Sequence, residues 1–145
     1  MEQIFTGFSI KVGLGVVGAV IANALGGWST AMQTLLVFMV IDYASGLAVA
    51  LFYQGSNKTE TGGFSSTAGL KGLMKKAFML MGVWMAHQVD VVSGLDYIRT
   101  AYIIMLCVNE FGSIGENFGI MGVPMPEYVT EAFEVLQNRN KTDDQ

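Results

Sequence analysis

Residues 31–53 read AMQTLLVFMVIDYASGLAVALFY, and this stretch decides the fold. It holds 23 residues and no proline. A helix rising about 1.5 Å per residue would extend roughly 35 Å over this length, enough to cross a bilayer core of about 30 Å with some tilt. One carboxylate, Asp42, stands at its middle. An acid at the centre of a membrane helix costs about 3 kcal/mol on an insertion scale, whereas each Leu, Ile, Val or Phe contributes about 0.3–0.6 kcal/mol favourably. The apolar residues of 35–41 and 47–52 together outweigh the acid. The stretch reads as a membrane helix with one acid that needs a reason.

The rest of the chain agrees with that reading. Its 145 residues are 52% hydrophobic and only 14% charged, with a mean hydropathy of +0.46. Soluble domains carry about 25% charge, and a soluble core of this size could not hide so much apolar sequence. A net charge of −4 argues against nucleic acid as a partner, which calls for clustered basic residues. The single cysteine, Cys107, offers no internal disulfide and no cysteine-based metal site.

Three more segments predict spans, giving an all-α integral membrane bundle in one domain. Residues 12–28 form the first, with Gly15, Gly18, Ala22 and Gly26 as a stripe of small residues that lets helix backbones approach closely. A signal peptide is the alternative there, with Ala22-Asn23-Ala24 as its cleavage site; the glycine stripe has a use only in a retained helix. Residues 77–95 form the third span and 101–123 the fourth, which Pro124 and Pro126 terminate. Gly46, Gly115 and Gly119 are further packing candidates. Residues 65–76 form a basic amphipathic segment carrying Lys71, Lys75 and Lys76, read first as a topology signal and second as a site for lipid headgroups. Residues 124–145 form a tail that opens with a short amphipathic helix over 127–136. With four spans, seven of the eight bases fall on one side and only Arg99 on the other. The positive-inside rule makes the crowded side cytoplasmic, with both termini inside.

The spans carry Asp42, Asp90, Glu110 and Glu116, with Ser45, Asn109, Ser113 and Asn117 as further polar groups. No lysine or arginine is expected at mid-depth beside Asp42 and Glu110. These two acids share a level, and burial favours the neutral form of a carboxylic acid. They are therefore expected to be protonated or hydrogen-bonded to each other. Glu116 is expected within reach of Lys71, Lys75 or Lys76, and Asp90 within reach of Arg99. The third and fourth spans are marginal alone, so partner helices are expected to stabilise them, including those of further copies of the chain.

Several chemical readings carry less weight. His87 lacks a second histidine or a Glu-x-x-His spacing and reads as a bundle histidine. Gly13-x-Gly15-x-x-Gly18 matches a dinucleotide fingerprint by letter, without the preceding strand or the later acid. There is no nucleophile–base constellation and no metal-ligand set, so no catalytic residue, metal or cofactor is expected.

Four motifs, taken in order, resemble the small phage-lysis holins of Gram-positive phages, a group that includes clostridial toxin-release holins. They are Asp42-Tyr43-Ala44-Ser45-Gly46; Ser65-Ser66-x-x-Gly69-x-x-Gly72 followed by Lys75-Lys76; Asn109-Glu110-x-x-Ser113-Ile114-x-Glu116-Asn117; and Gly122-x-Pro124-x-Pro126. Asp90 also stands where the family carries an acid. Gly112 and Gly115 replace the bulky aliphatics usual there, which leaves the continuity of the fourth helix open. The resemblance implies a protein that oligomerises in the host's cytoplasmic membrane. Its lesions would release an endolysin or a large secreted cargo and so time lysis. Two other classes remain beside it: a small ion- or proton-coupled channel or transporter subunit, suggested by midplane acids, and a membrane anchor whose tail docks a partner.

Overall fold

In the computed structural model, residues 2–53, 65–127, 129 and 131 are described, residues 2–9 as backbone only. Four helices account for the fold: α1 (Glu2–Ala24), α2 (Thr30–Ala48), α3 (Ser66–Ser93) and α4 (Ile98–Met121). A π-helical turn, Val49–Tyr53, prolongs α2. There is no strand among the described residues, and the chain is all-α.

Local chemistry sets the helix ends. Gly26 and Gly27 adopt positive φ of 85° and 87°, which turns the chain sharply out of α1. Ser29 then caps α2, its Oγ accepting the Met32 N–H at 3.2 Å. Ser65 caps α3 in the same way. Gly94 and Gly122 close α3 and α4 in the left-handed conformation, where glycine carries no Cβ penalty.

The most extensive interface joins α2 and α4, and α3 packs mainly on α4. The core between them consists of Leu25, Met32, Leu35, Met39, Met79, Val83, Ile103 and Leu106. α3 closes on α4 because Gly82 has no side chain: a Cβ there would stand 2.8 Å from two ring carbons of Tyr102. α1 stands apart. Every side chain from residue 10 to residue 21 is exposed.

Several details differ from the sequence reading. The basic segment 65–76 is not a separate element, because α3 runs unbroken for 28 residues, about 42 Å at 1.5 Å per residue. α4 passes through Gly112 and Gly115 without a break. Gly15, Gly18 and Gly119 meet nothing within 4 Å; Ala22 and Gly46 are half-buried and Gly115 is buried. Gly26 belongs to the turn rather than to a helix stripe. Beyond residues 127, 129 and 131, the C-terminal amphipathic helix and the tail lie outside the described residues, as does the loop 54–64.

Among the described residues, one helix is long and apolar enough to cross a membrane: Thr30–Tyr53, with mean hydropathy 2.2. Ile10–Ala24 is apolar but shorter. In α3 the group His87, Gln88 and Asp90 lowers the average, and in α4 Asn109, Glu110 and Glu116 do the same. Much of the remaining exterior is apolar. Val40 is 69% exposed, Phe52 79% and Val92 87%, a surface suited to lipid or to other helices rather than to water.

Candidate functional site

Asp42 and Ser45 lie three residues apart on one face of α2, and Glu110 and Asn117 lie seven apart on one face of α4. Both faces are buried. Lys76 enters the same space from α3, in step with Met79, Val83 and Asp90 of that helix's buried face. Its Nζ donates to Asp42 Oδ2 at 2.8 Å and to Glu110 Oε2. Asn117 completes the cluster: its Nδ2 donates to Ser45 Oγ at 2.9 Å and to Asp42 Oδ1 and the Asp42 carbonyl at 3.3 Å each. The Ser45 hydroxyl donates to the Asp42 carbonyl at 3.1 Å.

The side chains of Glu110, Asp42 and Lys76 are 2%, 9% and 12% exposed. Charges removed from water this far persist only when they are paired and hydrogen-bonded. Asp42 meets that condition through Lys76 and Asn117, and Glu110 through Lys76. The expected direct contact between the two acids is therefore replaced by a bridging lysine. Lys76, which the sequence reading grouped with Lys71 and Lys75 in a basic segment, is the cation that it did not expect beside Asp42 and Glu110. Asp42 stands twelve residues from Thr30 and eleven from Tyr53, so the triad sits about halfway along the apolar helix.

A second polar cluster ties the end of the bundle where α3 turns into α4. Asp90 is buried, and its two carboxylate oxygens accept the backbone N–H groups of Ile98 at 3.0 Å and Arg99 at 2.9 Å. Tyr97 provides no side-chain cap for α4, so Asp90 supplies it from α3, where a negative charge also suits the helix dipole. The Arg99 Nη2 donates to the Gly27 carbonyl at 2.7 Å. Asp90 and Arg99 do meet, as expected, but through the Arg99 backbone, while the guanidinium holds the α1–α2 turn. His87 and Arg99 close around Gly26.

The structure thus joins Asp42, Ser45, Glu110 and Asn117 in one cluster and places Asp90 in another. Ser113 is half-buried, while Asn109, Glu116, Lys71 and Lys75 are exposed. Tyr43, which the sequence reading assigned no role, packs over α3. A Cβ on Gly69 would stand 3.6 Å from its hydroxyl, and one on Gly72 3.9 Å from its ring. The motif glycines of α3 therefore make room for the motif tyrosine of α2. Helical period is the signal that could have found Lys76, since it shares a stripe with Met79 and Val83. Among the described residues, no three His, Cys, Asp or Glu side chains gather into a set that could hold a metal ion.

Comparison with known proteins gives the same three helices a family. The chain is 33% identical over 134 residues to an uncharacterised protein of Halalkalibacterium halodurans, covering 88% of this chain and 93% of that one. It is 32% identical over 133 residues to an uncharacterised protein of Clostridium perfringens, covering 90% and 93%. An uncharacterised Listeria innocua protein is 38% identical over 119 residues, with 81% and 79% covered. No solved structure matches the chain. The bacteriophage holin family matches residues 19–138, a region that holds α2, α3, α4 and both polar clusters; the chain belongs to the bacteriophage holin family.

Proposed function

We propose that this protein accumulates in the cytoplasmic membrane of the host bacterium as a bundle of four spans, both termini inside, and then opens lesions. Those lesions release an endolysin, or a large protein cargo, and set the time of lysis. The role is non-enzymatic. The observation that carries the reading is the Lys76–Asp42–Glu110 triad, a charged knot held at mid-length between helices whose outer faces are largely apolar. Polar contacts between membrane helices are worth only about 0.6–2 kcal/mol each. Such a knot keeps α3 on α2 and α4 in a dormant bundle, yet its members can change partners when copies crowd together or the membrane potential falls. The orientation draws on the same base count: with Lys75 and Lys76 at the level of the triad, five of the other six bases still fall on the inner side.

The test is lysis timing in bacteria that express the protein with an endolysin. Asp42→Asn and Glu110→Gln keep size and an acceptor oxygen but remove one charge from the triad. Each is expected to weaken a charge-assisted contact by about 1–3 kcal/mol and to move the onset of lysis in time, while the membrane-inserted amount stays near that of the parent. Unchanged onset in both variants would remove the triad from the mechanism. A buried charge cluster at mid-depth also favours a second reading, a small ion- or proton-coupled channel subunit. Purified protein in liposomes separates the two: passage of a folded enzyme supports the holin, and a selective, reversible conductance without it supports the channel.

A further inference from the structure

Among the described residues, Arg99 Nε is buried and has no hydrogen-bond partner. The rest of the residue is held in place. Arg99 is 9% exposed, and its Nη2 donates to the Gly27 carbonyl. A buried N–H left unpaired calls for an explanation, and His87 offers one. A Cβ on Gly26 would stand 2.7 Å from His87 Nδ1 and 2.8 Å from Arg99 Nε, so the two nitrogens are no farther apart than those lengths laid end to end. A neutral imidazole has one N–H and one lone pair, whereas a protonated one has two N–H groups and accepts nothing. Neutral His87, with its hydrogen on Nε2, can take the Arg99 Nε–H on Nδ1. Protonated His87 cannot, and it sets a second cation against a buried guanidinium.

No other cation faces His87 among the described residues. From its own helix comes Asp90, whose two oxygens already accept the Ile98 and Arg99 N–H groups, and from α4 comes Arg99. Residues 23–34, which include the α1–α2 turn and the start of α2, hold no titratable side chain. Asp96 and Tyr97 in the turn between α3 and α4 are exposed, and Tyr102 lies against Gly82. Depth makes the pair reachable by protons. His87 is eleven residues from Lys76, and Arg99 eleven from Glu110, each about 16 Å along the axis. About 15 Å of hydrocarbon separates the midplane from either surface. Where the triad lies at mid-depth, His87 and Arg99 therefore stand at the membrane surface, and the half-buried His87 ring is open to water there.

We propose that His87 is a proton-sensitive latch on the α1–α2 turn. Neutral His87 holds Arg99 Nε, and Arg99 Nη2 holds the Gly27 carbonyl. As pH falls through about 8 to 5, where histidines as a class change charge, the incoming proton occupies the Nδ1 lone pair. The Nε–H loses its acceptor, the guanidinium is driven away from the ring, and the Gly27 carbonyl is let go. The latch is thus closed at the upper end of that range and opens toward the lower end. Side chains 10–21 of α1 are exposed, so opening the turn frees α1 from the other three helices. For the side it faces, the latch rests on the membrane reading above: with both termini inside, it answers to acid outside the cell.

Cysteine labelling tests it on the full-length protein in a Cys107→Ser background. Leu25, beside Gly26, is 8% exposed, whereas Trp28 is 65% exposed. A water-soluble maleimide is applied in detergent to Leu25→Cys and, as the reference that cancels the pH dependence of the thiol, to Trp28→Cys. The ratio of the two labelling rates is expected to rise roughly tenfold or more between about pH 8 and pH 5.5, which corresponds to the loss of one charged hydrogen bond. In His87→Asn an amide takes the place of the Nδ1 edge of the ring and does not titrate, so the ratio is expected to stay flat. A flat ratio in the chain that keeps His87, or an equal rise in His87→Asn, overturns the latch; the second result would assign the response to Asp90. Trp28 emission in Trp84→Phe, where it is the only tryptophan, follows the same opening with the turn unaltered, and an emission that does not change over this range also overturns the latch. The detergent result does not depend on the membrane reading. In intact cells, a response to external acid supports both. A response confined to internal acid leaves the latch standing and overturns the orientation.

Discussion

Replacing Lys76 with methionine is expected to destabilise the bundle by about 3–5 kcal/mol, the usual effect of stranding buried charges by removing their partner. Methionine keeps most of the lysine stem, so the loss isolates the ammonium. Glu110, with its side chain 2% exposed, would have lost the Lys76 contact, and Asp42 would retain only Asn117. Domains of this size are stable by about 5–15 kcal/mol in total, so the variant should melt far earlier in detergent and accumulate poorly in membranes. Neutralising all three positions is expected to reverse this. Buried ionic clusters exchanged for uncharged groups of similar volume often lose nothing or gain about 1–4 kcal/mol. In Lys76→Met/Asp42→Asn/Glu110→Met the asparagine still offers Asn117 an acceptor. This triple variant should regain a thermal midpoint near that of the parent while lysing at the wrong time. Circular dichroism melts and quantitative membrane blots measure the first effect, and lysis onset the second. A single Lys76→Met variant as stable as the parent would show that the knot does not hold the bundle.

The helices were legible before the triad was. The apolar runs at 31–53, 77–95 and 101–123 fall on α2 with its π-turn, on the C-terminal part of α3 and on α4, because apolar length together with glycine, serine and proline stops is a local signal. The shared level of Asp42 and Glu110 was also legible, since each stands near the middle of its helix. The lysine between them was not. Composition groups Lys71, Lys75 and Lys76 as one basic run, and a basic run points to a membrane surface. Helical period divides the run, leaving Lys76 on the buried stripe while Lys71 and Lys75 turn outward. The glycines misled for a related reason. Small-residue spacing says that a helix can be approached closely, without naming the neighbour. Gly13, Gly15 and Gly18 of α1 leave open space within 4 Å, whereas Gly82, Gly69 and Gly72 receive the tyrosines of other helices. Asp90 and Arg99 were paired correctly, but the form of the pairing depends on the turn at Gly94, which returns the chain so that the carboxylate meets backbone N–H groups.

Gly26 and Gly27 allow a paired test of that second polar cluster, because their backbones are alike and their surroundings are not. Both hold positive φ, 85° and 87°, where an L-residue is strained by about 1–2 kcal/mol. A Cβ on Gly27 meets nothing within 4 Å, so strain is the whole effect of Gly27→Ala. A Cβ on Gly26 would stand 2.7 Å from His87 Nδ1 and 2.8 and 2.9 Å from Arg99 Nε and Cδ. Arg99 has little freedom to withdraw: it is buried, its backbone N–H is held by Asp90 and its Nη2 by the Gly27 carbonyl. Gly26→Ala therefore lifts the α1–α2 turn off the start of α4 and breaks the guanidinium–carbonyl bond, a further loss of about 1.5–3 kcal/mol for a charged hydrogen bond. At about 2–4 °C per kcal/mol for a chain of this size, Gly26→Ala should lower the melting midpoint in detergent by about 10 °C and Gly27→Ala by about 4 °C. The excess should be specific to Arg99. In an Arg99→Ala background the guanidinium is gone, and coupled neighbours lose their interaction energy. There Gly26→Ala is expected to lower the midpoint little more than Gly27→Ala does; an undiminished excess would place the clash on His87 and leave Arg99 without its proposed hold on the turn.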